Sequence, residues 1–384
     1  MRILIDYRPA LRHRTGVGLW VARLVEALAE RQGASAPEIT VFSSSWKDRL
    51  VSVLPVGVTG VDRRVPVSLL NWLWHRLEWP DVATLVPGNF DVVHSPSPLL
   101  IPARSAARVV TIHDIDFLRH PERGTREIRR DYPLLARAHA HRADAVVVPS
   151  AHTADEVARR LDLPRDRIIV CRNGAPDWPA RQQQPRTGHL LFVGTITPRK
   201  NVDRLLTAYA QVRARRPGTP PLVLAGRSTR QSRQTLARLA SPSLAGHVRH
   251  EGYVDDRRLR TLYEEALLVV LPSLDEGFGI PALEAMAVGA PVVAAARGAL
   301  PEVVGDAGLL FDPLDVSALA AILERVMTDE PLRHRLAAAG LARASQFSWR
   351  ASAEALRGAY TRAIDRRRQR LAAHHEPGAK QRDL

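Results

Sequence analysis

Short apolar segments of strand length alternate along the whole chain with longer amphipathic segments of helical length, such as Leu19–Arg31. The first half contains five predicted strands: Arg2–Asp6, Glu38–Phe42, Val92–His94, Val109–His113 and Ala145–Val148. This alternation is typical of a parallel sheet with helices on both faces. The first half therefore predicts one doubly wound α/β domain.

The alternation starts again after residues 177–188, which are rich in Gln, Arg and Pro and predict an interdomain linker. Six more strands are predicted: Leu190–Val193, Leu222–Ala225, Val248–Glu251, Leu267–Leu271, Pro291–Ala295 and Leu309–Phe311. We therefore expect an α/β protein with two Rossmann-like domains, residues 1–176 and 189–350, facing each other across a cleft. A basic helix is expected over 351–373, followed by a disordered tail over 374–384.

The cysteine content and the apolar segments limit where the protein works. Cys171 is the single cysteine, which excludes an internal disulfide and a dense Cys/His zinc site. The N-terminal apolar run is too short for a signal peptide, and no stretch of about 18 apolar residues is present to span a membrane. We therefore expect a cytoplasmic protein.

The formal charge of +15 comes from 55 Lys+Arg against 40 Asp+Glu, and only Lys47, Lys200 and Lys380 are lysines. This excess of arginine indicates a compositional bias, so the charge is weak evidence for a polyanionic partner. An anionic substrate or an anionic membrane surface fits it. Nucleic acid is not expected, because no nucleic-acid-binding module is present and aromatic residues make up 5% of the chain.

Ligands of open parallel sheets bind at the carboxyl ends of the strands. The loop after the first strand contains Gly16-Val17-Gly18, which lies too far from the strand for a dinucleotide fingerprint and lacks its third glycine. Two interpretations remain open. The glycines form a flexible loop that brings backbone N–H groups near an anion, or they only start a helix.

The fourth strand is followed by His113 and by Asp114-Ile115-Asp116. The two aspartates form a D-x-D pair, which chelates a divalent metal in one class of sugar-transferring enzymes. In the alternative that we favour, His113 faces the ligand and the aspartates orient their neighbours. A purely structural histidine is also compatible with the sequence.

The first strand of the second half ends in a glycine turn that contains Pro198-Arg199-Lys200 and leads into a helix near Val202. The helix dipole, free N–H groups and the two cations together favour an anion. Lysine is so rare in this chain that Lys200 indicates a specific need for a compact ammonium group, such as phosphate binding. A solvated basic turn is the structural alternative.

The segment 271–284 carries two acids, Glu276 and Glu284, on either side of Gly277 and Gly279. Pro281 is suited to the start of a helix that ends near Gly289, which places Glu276 in a loop and Glu284 one turn into the helix. Two carboxylates are good acceptors for sugar hydroxyls. Glycoside hydrolysis also uses two carboxylates, but it would not explain the anion sites around them.

These residues resemble the E-x7-E signature of the retaining GT-B glycosyltransferases of family 4. Blocks in the same order along nearly the whole chain strengthen the resemblance: His113-Asp114, Val148-Pro149-Ser150, Asn173-Gly174, Gly194–Asn201, Leu300–Gly305 and Phe347-Ser348-Trp349. The resemblance implies a hexosyltransferase of the GT-B fold whose C-terminal helix crosses back onto the first domain. It implies a nucleoside-diphosphate sugar as donor, a glycan or lipid-linked acceptor, and neither a cofactor nor a metal ion.

The resemblance also implies roles for individual residues. Glu276 would lie beside the transferred sugar, His113 would contact that sugar from the first domain, and Lys200 would neutralise the departing diphosphate. The remaining residues of the predicted nucleotide-sugar site are Gly16, Gly18, Arg199, Phe278, Gly279, Ile280 and Glu284. Many members of the family have an arginine where this chain has Thr195, so Arg199 or Arg227 is expected to supply the second positive charge.

The Gly-Thr-x-x-Pro-Arg-Lys-Asn block is similar to that of several mannosyltransferases, which favours GDP-mannose as the donor. A UDP-sugar donor, a nucleotide-sugar epimerase and a basic membrane-binding module are the alternatives. The last one rests on the aromatic, amphipathic segment Leu69–Trp79. That segment predicts either a helix lying on lipid, at the inner face of a membrane, or a helix packed inside the first domain.

Overall fold

The computed structural model describes residues 1–12, 16–30, 36–45, 48–50, 54–123 and 126–375. They form two compact units. Unit 1 comprises Met1–Arg172 together with the chain from Trp349 onwards, and unit 2 comprises Asn173–Ser348.

Unit 1 contains a seven-stranded sheet in the order β3-β2-β1-β4-β5-β6-β7, with every pairing parallel. Its strands are β1 Arg2–Asp6, β2 Glu38–Ser44, β3 Val58–Arg63, β4 Val92–Ser95, β5 Ala107–Thr111, β6 Ala145–Val148 and β7 Ile168–Val170. Its helices up to Arg172 are α1 Arg8–Arg12, α2 Val17–Ala29, α3 Val67–Arg76, α4 Val82–Leu85, α5 Asp116–Arg119, α6 Arg126–Arg142 and α7 Ala151–Leu161.

Unit 2 contains a six-stranded parallel sheet in the order β10-β9-β8-β11-β12-β13. Its strands are β8 His189–Val193, β9 Leu222–Ala225, β10 Val248–Gly252, β11 Ala266–Leu271, β12 Val292–Ala295 and β13 Gly308–Phe311. Its helices are α8 Val202–Arg215, α9 Arg233–Ala237, α10 Asp256–Glu265, α11 Ile280–Val288, α12 Leu300–Val304, α13 Val316–Thr328 and α14 Glu330–Ala344. A final helix, α15 Trp349–His375, belongs to unit 1.

Alternate residues of β1 show that the sheet of unit 1 is covered on both faces. Ile3 and Ile5 pack in one hydrophobic cluster with α2 and with Tyr360 of α15, whereas Leu4 packs in another with Trp74 of α3. Side chains alternate across a strand, so the two clusters lie on opposite faces. The expected fold class, two doubly wound parallel α/β units, is confirmed.

Strand order fixes where a ligand would bind in each unit. In unit 1, the strands that follow β1 are added first on one side of it, as β2 and β3, and then on the other side, from β4 onwards. In unit 2, β9 and β10 are likewise added on one side of β8, and β11 to β13 on the other. Loops that leave such a switch point separate and open a crevice at the carboxyl ends of the strands. In unit 2 this crevice is bordered by the loops that follow β8 and β11.

The structure corrects four expected boundaries. Residues 177–188 have no helix or strand, yet they are held to unit 2, because Arg181 Nη1 donates to Ala266 O (2.7 Å) and Gln184 Nε2 to Gly289 O (3.0 Å). The segment is therefore part of unit 2, and the division falls after Arg172 rather than 176. The last helix begins at 349 instead of 351 and runs to 375, past the expected start of the disordered tail. The remaining tail residues, 376–384, lie outside the described part of the chain.

Candidate active site in unit 2

The loops after β8 and β11 bring together one carboxylate and two cations. Lys200 Nζ lies 2.5 Å from Glu276 Oε1, and Arg199 Nη1 lies 3.4 Å from Glu276 Oε2. Ser273 Oγ donates to the same Oε1 at 2.6 Å, and Arg199 Nη1 also donates to Asp275 O at 2.8 Å. The predicted phosphate-binding turn and the first acid of the E-x7-E motif therefore form one cluster.

The local sequence fixes this arrangement through Asn201. Its backbone is left-handed, with φ of 57°, a conformation that asparagine tolerates better than most residues. From this position Nδ2 donates to Pro272 O and to Pro313 O, both at 2.9 Å. The backbone adds a bond from Leu274 N to Arg199 O at 2.8 Å. The basic turn and the acidic loop are thus tied to each other at the end of the sheet.

Glu276 is buried and ionised. Burial alone would raise the pKa of its carboxyl group, but Lys200 and Arg199 outweigh that effect and hold the pKa below its ordinary value. A buried carboxylate is retained only when cations and donors compensate its lost hydration. The cluster therefore contains two cations and one anion, which leaves a net positive charge of one.

Helix α11 begins beside this cluster. Gly279 caps its N-terminus with φ of 105°, and a Cβ there would lie 2.7 Å from Leu300 Cδ2, so this position requires glycine. Phe278 is buried against the ring of Phe347, at 5.9 Å between centroids. Ile280 is the first helical residue and Pro281 the second. The positive end of the helix dipole thus lies in the loop that carries Glu276.

Glu284 lies on the next turn of α11 and has different surroundings. It is buried, and Tyr263 Oη of α10 donates to its Oε2 at 2.7 Å. Burial raises the pKa of Glu284 to about 7, and the Tyr263 hydrogen bond opposes that shift. The two acids of the motif therefore differ in charge state near neutral pH.

In unit 1, His113 follows β5 by two residues and contacts Trp20 edge-on, with 4.9 Å between ring centroids. Its Nε2 atom is buried without a hydrogen-bond partner, and burial lowers the pKa of His113 to about 4. Gly16 caps the N-terminus of α2 with φ of 55°, and Gly18 is buried in the first turn of that helix. Both glycines therefore serve the helix start, and an additional anion-binding role stays a prediction.

The D-x-D alternative receives a local explanation. Asp114 Oδ1 accepts a hydrogen bond from the backbone N of Asp116 at 3.1 Å, which is the geometry of a turn at the start of α5. In the described ranges, no three or more His, Cys, Asp or Glu side chains are grouped as metal ligands.

Of the two arginines expected to supply the second positive charge, Arg199 contacts Glu276, whereas Arg227 lies over the Tyr253 ring at 4.8 Å.

The sequence did not indicate three residues of the site: Ser273, Asn201 and Tyr263. Ser273 and Asn201 lie inside the recognised blocks but have no distinctive chemistry. Tyr263 lies on another helix, so no local spacing connects it with Glu284.

Two Rossmann-like units with parallel sheets, and an acid pair and a basic turn at the strand ends of the second, are features of GT-B glycosyltransferases. Two family models match: "Glycosyltransferase Family 4" over residues 14–177 and "Glycosyl transferases group 1" over residues 178–343. The O-antigen chain mannosyltransferase B of Escherichia coli is 34% identical over 379 residues, which cover 91% of this chain and 96% of that protein. The chain therefore belongs to the family 4 glycosyltransferases.

A second relative is also a mannosyltransferase, and solved structures show the same fold. The serotype-specific mannosyltransferase WbdA of Escherichia coli is 31% identical over 74% of this chain, although the match spans only 37% of WbdA. Among solved structures, sucrose-phosphate synthase from Thermosynechococcus elongatus superposes with a TM-score of 0.76 at 22% identity, covering 97% of this chain and 100% of that one. WaaG, a glycosyltransferase involved in lipopolysaccharide biosynthesis, gives a TM-score of 0.71 at 18% identity, covering 94% and 98%. These structures share the fold.

Within the described residues no helix has the length and apolar character needed to cross a membrane.

Proposed function

We propose that this protein transfers mannose from GDP-mannose to a hydroxyl group of a glycan or lipid-linked acceptor, with retention of the anomeric configuration. The observation that carries the proposal is the contact of Lys200 and Arg199 with buried Glu276 beside the start of α11. Two cations and the positive end of a helix dipole suit a diphosphate, and an ionised acid beside them suits the hydroxyl groups of a sugar. The mannosyltransferase relatives support the choice of sugar.

The chemistry follows from the charges. The bond between the anomeric carbon and the diphosphate breaks while the acceptor oxygen bonds to that carbon on the same face, and the hydroxyl proton passes to the leaving diphosphate. Lys200, Arg199 and the backbone at Phe278, Gly279 and Ile280 stabilise the growing negative charge, so the step proceeds without a metal ion. Glu276 accepts hydrogen bonds from sugar hydroxyls, and Glu284 accepts one from the ribose. The contact of His113 with the sugar, which the resemblance implies, stays a prediction.

A product assay tests this function against its rivals. The protein is incubated with GDP-mannose or UDP-glucose, with and without a mannose-terminated oligosaccharide. We expect acceptor-dependent release of GDP and a new α-linked mannose by NMR. An epimerase would change the sugar of the donor without acceptor-dependent release of the nucleotide. Preference for UDP-glucose or a β-linked product would contradict the proposal.

The Lys200→Ala variant tests the phosphate-binding role directly. Loss of one preorganised donor costs about 10² to 10³ in turnover, so we expect a folded variant that is slower by this factor. Arg233→Ala, which removes an exposed positive charge on α9 of the same unit, is the control and should retain normal turnover. Normal turnover in Lys200→Ala would remove the role that we assign to Lys200.

We also propose a peripheral contact between α3 and an anionic lipid surface. Leu70 and Trp74 of this helix are buried, whereas its Leu69 and Trp72 are exposed, Trp72 by 44%. Leu77 and Trp79, which follow the end of the helix, are also exposed, Trp79 by 60%. Amphipathic helices with exposed tryptophan lie in the interfacial region of bilayers. One side of the segment packs inside unit 1, as the second interpretation of the sequence predicts. The other side is exposed, and we propose that it contacts lipid.

The charge around α3 selects anionic lipid. Arg76 of α3 pairs with Asp131 of α6 at 2.8 Å, which places α6 against the end of α3. The exposed residues of α6 include Arg129, Arg130 and Arg137. Arg130 also pairs with Asp131, and Arg137 pairs with Asp162, so the four arginines exceed the two aspartates by two charges, which favours an anionic surface.

Flotation with phosphatidylglycerol and phosphatidylcholine vesicles tests this contact. We expect binding to the anionic vesicles, reduced by the double variant Trp72→Ser/Trp79→Ser and unchanged by Leu314→Ser, which alters an exposed leucine of unit 2. Equal binding of both vesicle types, or binding that survives the tryptophan changes, would contradict the proposal.

A further inference from the structure

The carboxylate of Glu284 is held at one of its two oxygens. Tyr263 Oη donates to Oε2 at 2.7 Å, and among the described residues no donor contacts Oε1. Glu284 is 7% exposed, and its Oε1 atom retains part of this exposure. One oxygen of this otherwise buried group is therefore available to a ligand.

Tyr263 is suited to hold the other oxygen. It is fully buried in α10, and its ring packs against Trp178 at 5.9 Å between centroids, which fixes the direction of the hydroxyl group. Burial, together with the neighbouring Glu284, raises the pKa of Tyr263 well above its ordinary value. The hydroxyl group therefore keeps its proton and acts as a donor to the carboxylate.

We infer that Tyr263 is a positioning residue that directs Glu284 Oε1 at the ribose of the donor and so sets a preference for ribose over deoxyribose nucleotides. The inference rests on the proposed function, in which Glu284 accepts a hydrogen bond from the ribose. Without the Tyr263 hydroxyl, the carboxylate is free to rotate about its last torsion angle. It also loses the one hydrogen bond that favours its charged form against burial and against the like charge of Asp256. A neutral or rotated carboxyl group accepts poorly from a ribose hydroxyl.

A comparison of GDP with 2′,3′-dideoxy-GDP tests the inference by isothermal titration calorimetry. Hydrogen bonds to charged groups account for about tenfold to a hundredfold in affinity, so the wild-type protein should prefer GDP by this factor. The Tyr263→Phe variant removes the hydroxyl and keeps the ring. We expect its affinity for GDP to fall towards that for the dideoxy analogue, while its affinity for the analogue stays unchanged.

Tyr209→Phe is the matched control. Tyr209 is also a fully buried tyrosine of unit 2, but its hydroxyl donates to Pro220 O and His247 O instead of to an acid of the site. It should lose comparable stability and retain the wild-type preference for GDP. If Tyr263 had a merely structural role, Tyr263→Phe would lower the affinity for GDP and for the dideoxy analogue by the same factor.

The outcomes separate the inference from the function on which it rests. A wild-type protein that binds GDP and its dideoxy analogue equally would overturn the ribose-binding role of Glu284. A wild-type preference that persists in Tyr263→Phe would overturn the role of Tyr263 alone. If Tyr263→Phe does not fold, a crystal structure of the wild-type complex with GDP decides. Tyr263 and the ribose should contact different oxygens of Glu284, and a ribose that contacts neither oxygen overturns the inference.

Discussion

Glu276 and Glu284 are eight positions apart in one motif, yet the protein gives them opposite electrostatic properties. Glu276 lies between Lys200 and Arg199, which lower its pKa despite burial. Glu284 has one phenol as its hydrogen-bond partner, and burial raises its pKa to about 7. The two cations therefore favour the charged form of the first acid, whereas the second changes charge in the physiological range.

The raised pKa of Glu284 predicts that the affinity for GDP-mannose increases from pH 6 to pH 8. Below pH 7 the free protein holds a proton on Glu284, and a ribose hydroxyl prefers the ionised carboxylate, so binding must release that proton. With a pKa of about 7, the affinity should be about tenfold lower at pH 6 than at pH 8. GDP-mannose is the suitable ligand because it lacks a terminal phosphate group that ionises near pH 6.

The control is Glu284→Gln, whose affinity should be lower and independent of pH across this range. A pH-independent affinity in the wild-type protein would show that Glu284 does not contact the ribose.

The raised pKa of Glu284 also affects the stability of the fold. Between pH 4.5 and 7 the folded protein without ligand binds a proton that the unfolded chain does not bind. The stability contributed by this protonation is present below pH 4.5, the ordinary pKa, and is lost as the pH rises to about 7.

At the scale of elements, the sequence predicted the helix and strand ends of the site well. Pro281 and Gly289 indicated a helix that the structure places at Ile280–Val288, and the turn before Val202 was placed correctly. Apolar runs and glycine or proline signals suffice for such elements because they act locally. The edge strands β3 and β7 were missed: β3 includes Gly60, Asp62 and Arg63 and is half exposed, and β7 has three residues.

Gly298 shows what sequence reasoning could not detect. It follows β12, has φ of 62°, and a Cβ there would lie 2.5 Å from Glu276 N and 2.7 Å from Glu276 O. The restriction arises from two loops that meet only in the folded chain, 22 positions apart in the sequence. Position 298 therefore determines where the Glu276 loop lies.

Gly298→Ala is predicted to displace the Glu276 loop and to lower turnover by about 10²-fold, the cost of a displacement of about 1 Å at a reacting centre. Gly246→Ala is the matched control, since Gly246 has φ of 75° with nothing within 4 Å of a Cβ. Both variants carry left-handed strain of about 1–2 kcal/mol, which thermal unfolding measures. Equal turnover in the two variants would mean that Gly298 acts through stability alone.

At the scale of the whole molecule, the two units have separate hydrophobic cores. The main core of unit 2 contains Tyr209, and the cores of unit 1 include Tyr360 from the last helix. Among the described residues, no buried residue belongs to cores of both units. Tyr360 Oη is also 2.8 Å from Nδ1 of buried His94, whose pKa burial lowers to about 3. The strand pattern alone did not assign α15 to unit 1, since a helix that follows the second domain in sequence carries no local sign of its partner. That assignment came from the resemblance.

Separate cores predict that destabilising one unit leaves the other protected. Truncation of a buried aromatic residue costs about 3–5 kcal/mol, and Tyr360→Ala also leaves His94 Nδ1 without its partner. Hydrogen exchange should therefore accelerate by about 10²-fold or more in strands β4 and β5, and remain unchanged in β8 and β11. Tyr209→Ala is the reciprocal variant and should accelerate exchange in unit 2 only. Acceleration of both sheets by either variant would show that the two units unfold as one, and the site of unit 2 would then depend on the last helix of the chain.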